Sequence, residues 1–187
     1  MPRDAAPVSV IIPAFNAAKS IERALRSVAL QTLPPSEVIV VDDGSSDDTT
    51  AVAKAMQDEF HETQLVVISQ PNKGAGAARN RAVEAATELY VAFLDADDEW
   101  LPNKLERSMD VLASKNYTLV AHDYMDVTLS GEIHVDCAQR FNEGPGPYTS
   151  LYLKGYIPSI SVVTRKEAVL AAGGFDETLR NAQDFDL

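Results

Sequence analysis

Cysteine is almost missing from this chain: Cys137 is the only one in 187 residues. That excludes an internal disulfide framework and fits a reducing compartment. Long apolar runs are missing as well. No N-terminal stretch resembles a signal peptide, and nothing approaches the roughly 20 apolar residues of a membrane span. The expected location is the cytoplasm, with a longer parent chain able to associate with a membrane. Cations are scarce, since 16 Lys and Arg stand against 28 Asp and Glu for a net charge of −12. Such a balance argues against nucleic acid or an anionic membrane as a general partner. The three histidines, His61, His122 and His134, lack metal-ligand spacing and are expected at the surface or in a hairpin. Cys137 has no evident partner for nucleophilic catalysis.

What is present is the composition of a globular protein, 45% apolar and 24% charged. A chain of this length suits one domain and can bury roughly 70% of its unfolded surface. Strand-like and helix-like segments alternate through the first half. Residues 8–12 form a β-rich run stopped by Pro13. Helical spacing follows at Ile21, Ala24, Leu25 and Val28, closed by Pro34 and Pro35. Residues 38–41 form a second run, stopped by Asp42-Asp43-Gly44. A helix is expected from about Asp47, with Ala51, Ala55 and Phe60 on one side. Residues 65–68 read as a third strand, 76–86 as an alanine-rich helix, 90–94 as a fourth strand and 102–112 as the next helix. Continuous apolar strands separated by helices predict a mostly parallel sheet covered on both faces, with right-handed crossovers.

The pattern changes after about Lys115. Residues 117–121 read as a strand, 126–135 as a hairpin turning at Ser130-Gly131, and 142–147 as a loop. Residues 159–163 read as another strand, and 165–172 as a short helix stopped by Gly173-Gly174. The division expected is a ligand-binding half over 1–115 and a second half over 116–187. The chain ends at Asp184-Phe185-Asp186-Leu187 without a stop signal, as if cut inside an element.

In open α/β sheets ligands bind beyond the carboxyl ends of the strands, and four such ends here are polar. The most pointed is Asp95-Ala96-Asp97-Asp98, which follows an apolar run. Three carboxylates within four residues repel one another unless a cation sits among them. Hard cations such as Mg²⁺ and Mn²⁺ take carboxylates together with substrate phosphates. Helix capping accounts for one of the three at most. Asp42-Asp43-Gly44-Ser45 reads either as a turn or as a site in which Asp43 accepts from the N–H of a uracil-like base. The stretch from Gly74 to Arg79 opens a helix after a strand, but Arg79 occupies the third glycine position of a dinucleotide fingerprint, and the strand is the third. Arg79 is then either on a solvated face or, with Asn72, near a diphosphate or ribose. Trp100 reads as a core anchor or a stacking platform.

Taken in order, residues 8–16, 38–49, 72–82 and 91–100, then Gly173-Gly174-Phe175-Asp176-Glu177 and Gln183-Asp184-Phe185-Asp186-Leu187, resemble the family 2 glycosyltransferases. The resemblance implies the GT-A fold, a Rossmann-like α/β/α sandwich with a smaller acceptor-side region. It also implies an inverting transfer that uses Mn²⁺ or Mg²⁺, from a nucleotide-sugar donor, often UDP-linked, to a hydroxyl of a glycan, lipid or other acceptor. Pro13, Phe15 and Asp43 match nucleobase and donor positions, and Asn72 and Arg79 match donor positions. Asp95 and Asp97 match the DxD pair, with Asp97 as metal ligand, and Asp98 adds an ambiguity of offset. Asp184 matches the general base, although without the resemblance it reads equally as a helix cap. Gln183 replaces the usual Glu, which removes a second carboxylate. The competing readings are a nucleotide-sugar-binding module without transfer activity and a nucleotidyltransferase. The latter is expected to carry a basic glycine-rich loop after the first strand, and Pro13-Ala14-Phe15-Asn16 is not one.

Overall fold

A computed structural model describes residues 5–143, 146, 149 and 157–179. Gln183, Asp184 and the rest of the final segment lie outside the described residues, as do parts of the expected loop over 142–147. Among the described residues strands and helices first alternate in the order β1 (Ala6–Ala14), α1 (Ile21–Ala29), β2 (Pro35–Asp42), α2 (Thr49–Ala55), β3 (Gln64–Ser69), α3 (Ala75–Ala85), β4 (Tyr90–Phe93) and α4 (Lys104–Lys115). Then come β5 (Leu119–Val120), β6 (Tyr124–Thr128), β7 (Gly131–Val135), α5 (Cys137–Asn142), β8 (Val163–Arg165) and α6 (Lys166–Ala172). Short 3₁₀ turns occupy Met56–Glu59 and Ser159–Ser161.

The main sheet has six strands in the order β3-β2-β1-β4-β8-β5, and β6 and β7 form a separate hairpin. β1 pairs in parallel with β2 on one side and β4 on the other, and β2 pairs in parallel with β3. Only β8 runs antiparallel, between β4 and β5. The apolar runs are unbroken because both faces are covered. Val8, Val10, Ile12, Val38, Val40, Ala92 and Leu94 pack with α1, α2 and α4 residues such as Leu25, Ala53 and Leu105. Ile11, Ile39, Val41, Val91 and Phe93 point the other way, against Ala78, Ala82 and Val83 of α3 and Val169 of α6. Alternate residues thus feed two cores, as a pleat with period two requires.

Three expectations need correction. Ala51 and Ala55 are exposed, and α2 instead buries Thr49 and Ala53, with Met56 and Phe60 following. The strand expected over 159–163 is a 3₁₀ turn that leads into β8. Its backbone donors serve the turn first, with Ser161 N–H on the Pro158 carbonyl and Val162 N–H on that of Ser159. The strand over 117–121 shrinks to Leu119–Val120, an edge strand paired on one side only. Trp100 is a core residue, with its N–H on the Ser27 hydroxyl and its indole Nε1–H on the Ile160 carbonyl.

A polar pin joins three segments at the amino end of the sheet, away from the strand ends that carry the acidic turn. The buried Glu37 carboxylate of β2 accepts from the Ser9 hydroxyl of β1 at 2.6 Å. It also accepts from the Thr87 N–H and hydroxyl at 2.6 and 2.7 Å, ahead of β4. Burial alone would raise the Glu37 carboxyl, but these donors together with the Glu88 backbone hold it below its ordinary value of 4.5. A depressed carboxyl stabilises the fold above its unfolded pKa, and that stability is lost as pH falls through the lower folded value. Glu37→Ala should cost about 1–3 kcal/mol, because buried donors lose their acceptor. In acid titrations followed by denaturant unfolding, the variant should lose less stability below about pH 4.5 than the parent chain. Equal acid sensitivity of the two would rule the pin out.

Lys104 is the opposite case. Its side-chain nitrogen is buried, lies 3.7 Å from the centroid of the Trp100 ring and has no hydrogen-bond acceptor among the described residues. Burial pulls it well below its ordinary value of 10.5. The stacked ring returns at most about 2 kcal/mol, less than the several kcal/mol an unpaired buried ion costs. A lowered base weakens the fold as pH falls below the unfolded value, because the unfolded chain holds that proton more tightly. Lys104→Met should therefore raise stability by roughly 1–3 kcal/mol at pH 7 in chemical denaturation. A loss instead would reveal an acceptor for the ammonium.

Candidate donor-binding site

The sheet order reverses between β1 and β4, and a cleft of about 310 Å³ opens there at the strand ends. Pro13, Phe15 and Asn16 contribute from the end of β1, Asp43 from the end of β2, Ala75, Ala78 and Arg79 from α3, and Asp95, Ala96 and Asp97 from the end of β4. Small side chains, Ala14, Ala17, Ala75, Ala78 and Ala96, leave the room between them.

Hydrogen bonds between loops frame the Phe15 end. Asn16 adopts a left-handed φ of 50°. Its side-chain carbonyl accepts from the Ser46 N–H at 2.8 Å, and its own N–H donates to the Ser45 hydroxyl at 2.8 Å. The Thr49 hydroxyl and the Asp47 carboxylate then accept from the N–H groups of Ala17 and Ala18. The loop after β1 is thereby fastened to the loop after β2, and Phe15 stands about half exposed beside it.

Asp42 and Asp43 do different work. Asp42 is a turn residue, accepting from the Ser45 N–H and from the Thr50 hydroxyl of α2. Asp43 holds the loop after β3, since its carboxylate accepts from the Gln70 amide at 2.8 Å, the Lys73 N–H at 2.9 Å and the Gly74 N–H at 2.7 Å. Gly44 between these loops has a φ of +76°, and a Cβ there would lie 2.8 Å from the Asn72 nitrogen, so only glycine fits. The turn reading of Asp42-Asp43-Gly44-Ser45 holds at Asp42, and Asp43 lines the cleft.

Arg79 is buried, which overturns the solvated-face reading. Its guanidinium donates to Asp95 Oδ1 at 2.7 Å, with the Arg79 side chain 7% and the Asp95 side chain 32% exposed. Phe175 supports the guanidinium from its other side, 5.4 Å from the guanidinium carbon to the ring centroid. Asp97 is exposed on the cleft wall, and the Arg23 guanidinium of α1 holds its backbone carbonyl at 2.8 Å. Asp98 is half-buried and is not among the residues that line the cleft. Burial, with the charges of Asp95 and Asp97, pushes its carboxyl up to about 6 against the pull of Arg23.

Seven of the residues singled out in the sequence thus have definite places. Pro13, Phe15, Asp43, Arg79, Asp95 and Asp97 line one cleft, and Asp98 stands behind its wall. Asn72 is exposed on the neighbouring loop and is not among the lining residues. Asn16 and Ser20 line the cleft without having been anticipated. Asparagine after a strand is a turn former that tolerates left-handed φ, and that signal was available at Asn16.

The donor set is hard, made of carboxylate oxygens. Among the described residues no group of three His, Cys, Asp or Glu side chains converges on one point. Asp95 and Asp97 therefore fit a cation that takes two carboxylates at most and draws its remaining oxygens from a ligand or water, as Mg²⁺ does.

The open, mostly parallel sheet, with an acidic turn and a buried arginine at its switch point, has the GT-A type of fold. The chain belongs to glycosyl transferase family 2, whose sequence profile matches residues 9–131. It is 36% identical over 118 residues to the UDP-Glc:alpha-D-GlcNAc-diphosphoundecaprenol beta-1,3-glucosyltransferase WfgD of Escherichia coli, covering 63% of this chain and 45% of that one. The amylovoran biosynthesis glycosyltransferase AmsB of Erwinia amylovora is 29% identical over 186 residues, 96% of this chain and 62% of its own. Among solved structures, residues 1–349 of TarS from S. aureus with UDP-GlcNAc superpose with a TM-score of 0.77 at 24% identity, covering 96% of this chain and 52% of that chain. The mannosyltransferase PcManGT of Pyrobaculum calidifontis, in complex with GDP-Man and Mn²⁺, gives 0.73 at 24% identity, covering 98% and 51%. Across the curated relatives it matches, the chain spans about half of their length or less in most cases. Among the described residues no helix is long and apolar enough to cross a membrane.

The Asp43 contacts generate a test that needs no ligand. Asp43→Ala should release the loop at 70–74 and cost about 1–3 kcal/mol through its stranded N–H groups. Amide exchange should accelerate at Lys73 and Gly74 while the β1 and β2 amides keep their protection. Unchanged exchange at those two amides would remove the anchoring role.

Proposed function

We propose that this chain transfers a sugar from a nucleotide-diphosphate donor, most simply a UDP-sugar, to an acceptor hydroxyl with inversion at the anomeric carbon. The observation that carries the reading is the single cleft in which Pro13, Phe15 and Asp43 line one part and Arg79, Asp95 and Asp97 another. The exposed Phe15 ring offers an apolar face to a base. Asp43 retains acceptor capacity for a base N–H, because a carboxylate offers about four lone-pair sites and protein donors fill three strongly. Arg79 supplies a positive charge fixed at the acidic turn, which an anionic diphosphate needs in a chain of net charge −12.

Asp95 and Asp97 would hold Mn²⁺ or Mg²⁺, with Asp98 a nearby third carboxylate. When bound, such an ion supplies Lewis-acid stabilisation of the charge that develops on a leaving diphosphate. Asp97 is exposed and free to reach an ion, whereas Asp95 is already turned toward Arg79 and so faces the donor. Asp184 is assigned the general base that takes the acceptor proton as the hydroxyl attacks from the opposite face. Residues 116–187 then form the acceptor side of the same unit, with a glycan or lipid-linked hydroxyl as acceptor. The lipid-linked acceptor in the name of WfgD supports that class and a place of action near a membrane.

Titration calorimetry of UDP into the chain with and without Mn²⁺ checks the reading. Binding should depend on the ion, and Asp97→Asn should lower the Mn²⁺-dependent affinity by at least about tenfold, the equivalent of roughly 1.4 kcal/mol. In thermal shift, UDP at 100 times its Kd should add about 2.7 kcal/mol of apparent stability. Metal-independent binding, or an unaffected Asp97→Asn variant, would count against the assignment. Donor turnover by this chain separates transfer from binding alone.

A further inference from the structure

The turn after α6 begins with two glycines at positive φ, Gly173 at 96° and Gly174 at 74°. Gly173 caps the helix, and a Cβ there would meet nothing within 4 Å. Gly174 is different. A Cβ at that position would lie 2.6 Å from Oδ1 of Asn80, so the turn is pressed against the middle of α3. Asn80 then grips the following residue as a peptide group would. Its Oδ1 accepts from the Phe175 N–H at 2.8 Å, and its Nδ2 donates to the Phe175 carbonyl at 2.8 Å. The same Nδ2 reaches Glu177 Oε1 at 3.1 Å. Asparagine is a poor interior helix residue, so local propensity does not account for its place. The clamp accounts for it.

Phe175, the clamped residue, is only 3% exposed. Its ring meets Phe93 of β4 edge-on at 5.4 Å between centroids and carries the Arg79 guanidinium on its face. Arg79 in turn reaches Asp95. A continuous series of contacts therefore runs from Asn80 through Phe175 and Arg79 to the acidic turn. Arg79 and Asn80 are adjacent, so their side chains leave α3 about 100° apart. Arg79 lines the cleft and Asn80 does not.

We propose that Asn80 is a positioning residue: by clamping the turn at 174–177 onto α3 it seats Phe175 against Arg79 and so fixes the cleft's cation for the diphosphate of a nucleotide ligand. The diphosphate rests on the functional reading given above. The clamp and its effect on Arg79 do not.

Three isotope-labelled variants of the 187-residue chain test it: Asn80→Ala, Phe175→Leu and the double variant. Phe175→Leu removes the ring under Arg79 but keeps the backbone groups that Asn80 grips. Each single variant should shift or broaden the Arg79 side-chain Nε–H resonance in the ligand-free chain. Each should weaken Mn²⁺-dependent UDP binding about tenfold, within the range of a lost desolvated cation–π contact. The double variant should lose no more than the worse single variant, because both break one series of contacts. A folded Asn80→Ala chain with the parent Arg79 resonance and UDP affinity overturns the proposal, and so do additive losses. Should Asn80→Ala fail to fold, an unchanged Arg79 resonance in Phe175→Leu overturns it alone. A parent chain that does not bind UDP refutes the nucleotide reading, and the ligand-free Arg79 resonance then decides the role of Asn80.

Discussion

The ion pair between Arg79 and Asp95 is the contact on which the cleft depends. It joins the first turns of α3 to the end of β4, the two elements that flank the opening beside β1. Like charges at 95, 97 and 98 would otherwise push that turn apart. Burial and the charges of Asp95 and Asp97 still raise the Asp98 carboxyl, against the pull of Arg23. Two cations hold the turn from different sides: Arg79 from within and Arg23 through the Asp97 carbonyl and the Glu99 carboxylate from the surface. The inner pair matters more, because it is shielded from water and salt, while the Arg23–Glu99 pair is over half exposed on both partners and contributes little.

The sheet explains how so polar an edge is tolerated. β1 is hydrogen-bonded to β4 as far as Ile11 and to β2 as far as Ala14, and it is buried on both faces through that end. The carboxylates of Asp42 and Asp43 accept from the turns and loops at the end of β2, which turns two charges into anchors. At the other end of the same strands Glu37 performs a similar service with neutral donors. Carboxylates thus fix loops at both ends of the central strands. What sets the ligand end apart is the guanidinium held beside its carboxylates.

Much of this was legible in the residues because the apolar pattern has few alternatives. Runs such as Val38-Ile39-Val40-Val41 fit a doubly covered strand and little else at that length, and the aspartates at their ends have no place in a core. The parallel half of the sheet and the acidic cleft residues Asp43, Asp95 and Asp97 followed from that, whereas Pro13 and Phe15 came only with the family resemblance. The antiparallel β8 did not, since a three-residue strand after a 3₁₀ turn has no periodicity to read. Alanine hid the facing of α2, because Ala51, Ala53 and Ala55 look alike in sequence and only Ala53 is buried. Gly44 and Gly174 announced turns but not the close approaches of Asn72 and Asn80 that forbid a side chain there.

The Asn80 clamp shows why a site can be read residue by residue and still lack its support. Ninety-five positions separate Asn80 from Phe175, and nothing in either neighbourhood hints at the other. Their contact exists because α3 and α6 lie on the same face of the sheet, with Phe93 between them as common floor. Once Phe175 is fixed there, its ring fills the space under Arg79 that water would otherwise enter. A guanidinium backed by an aromatic face and drawn forward by one carboxylate has little freedom left. Its charge is therefore held in place before an anion arrives, and less ordering remains to be paid on binding than with a flexible surface lysine.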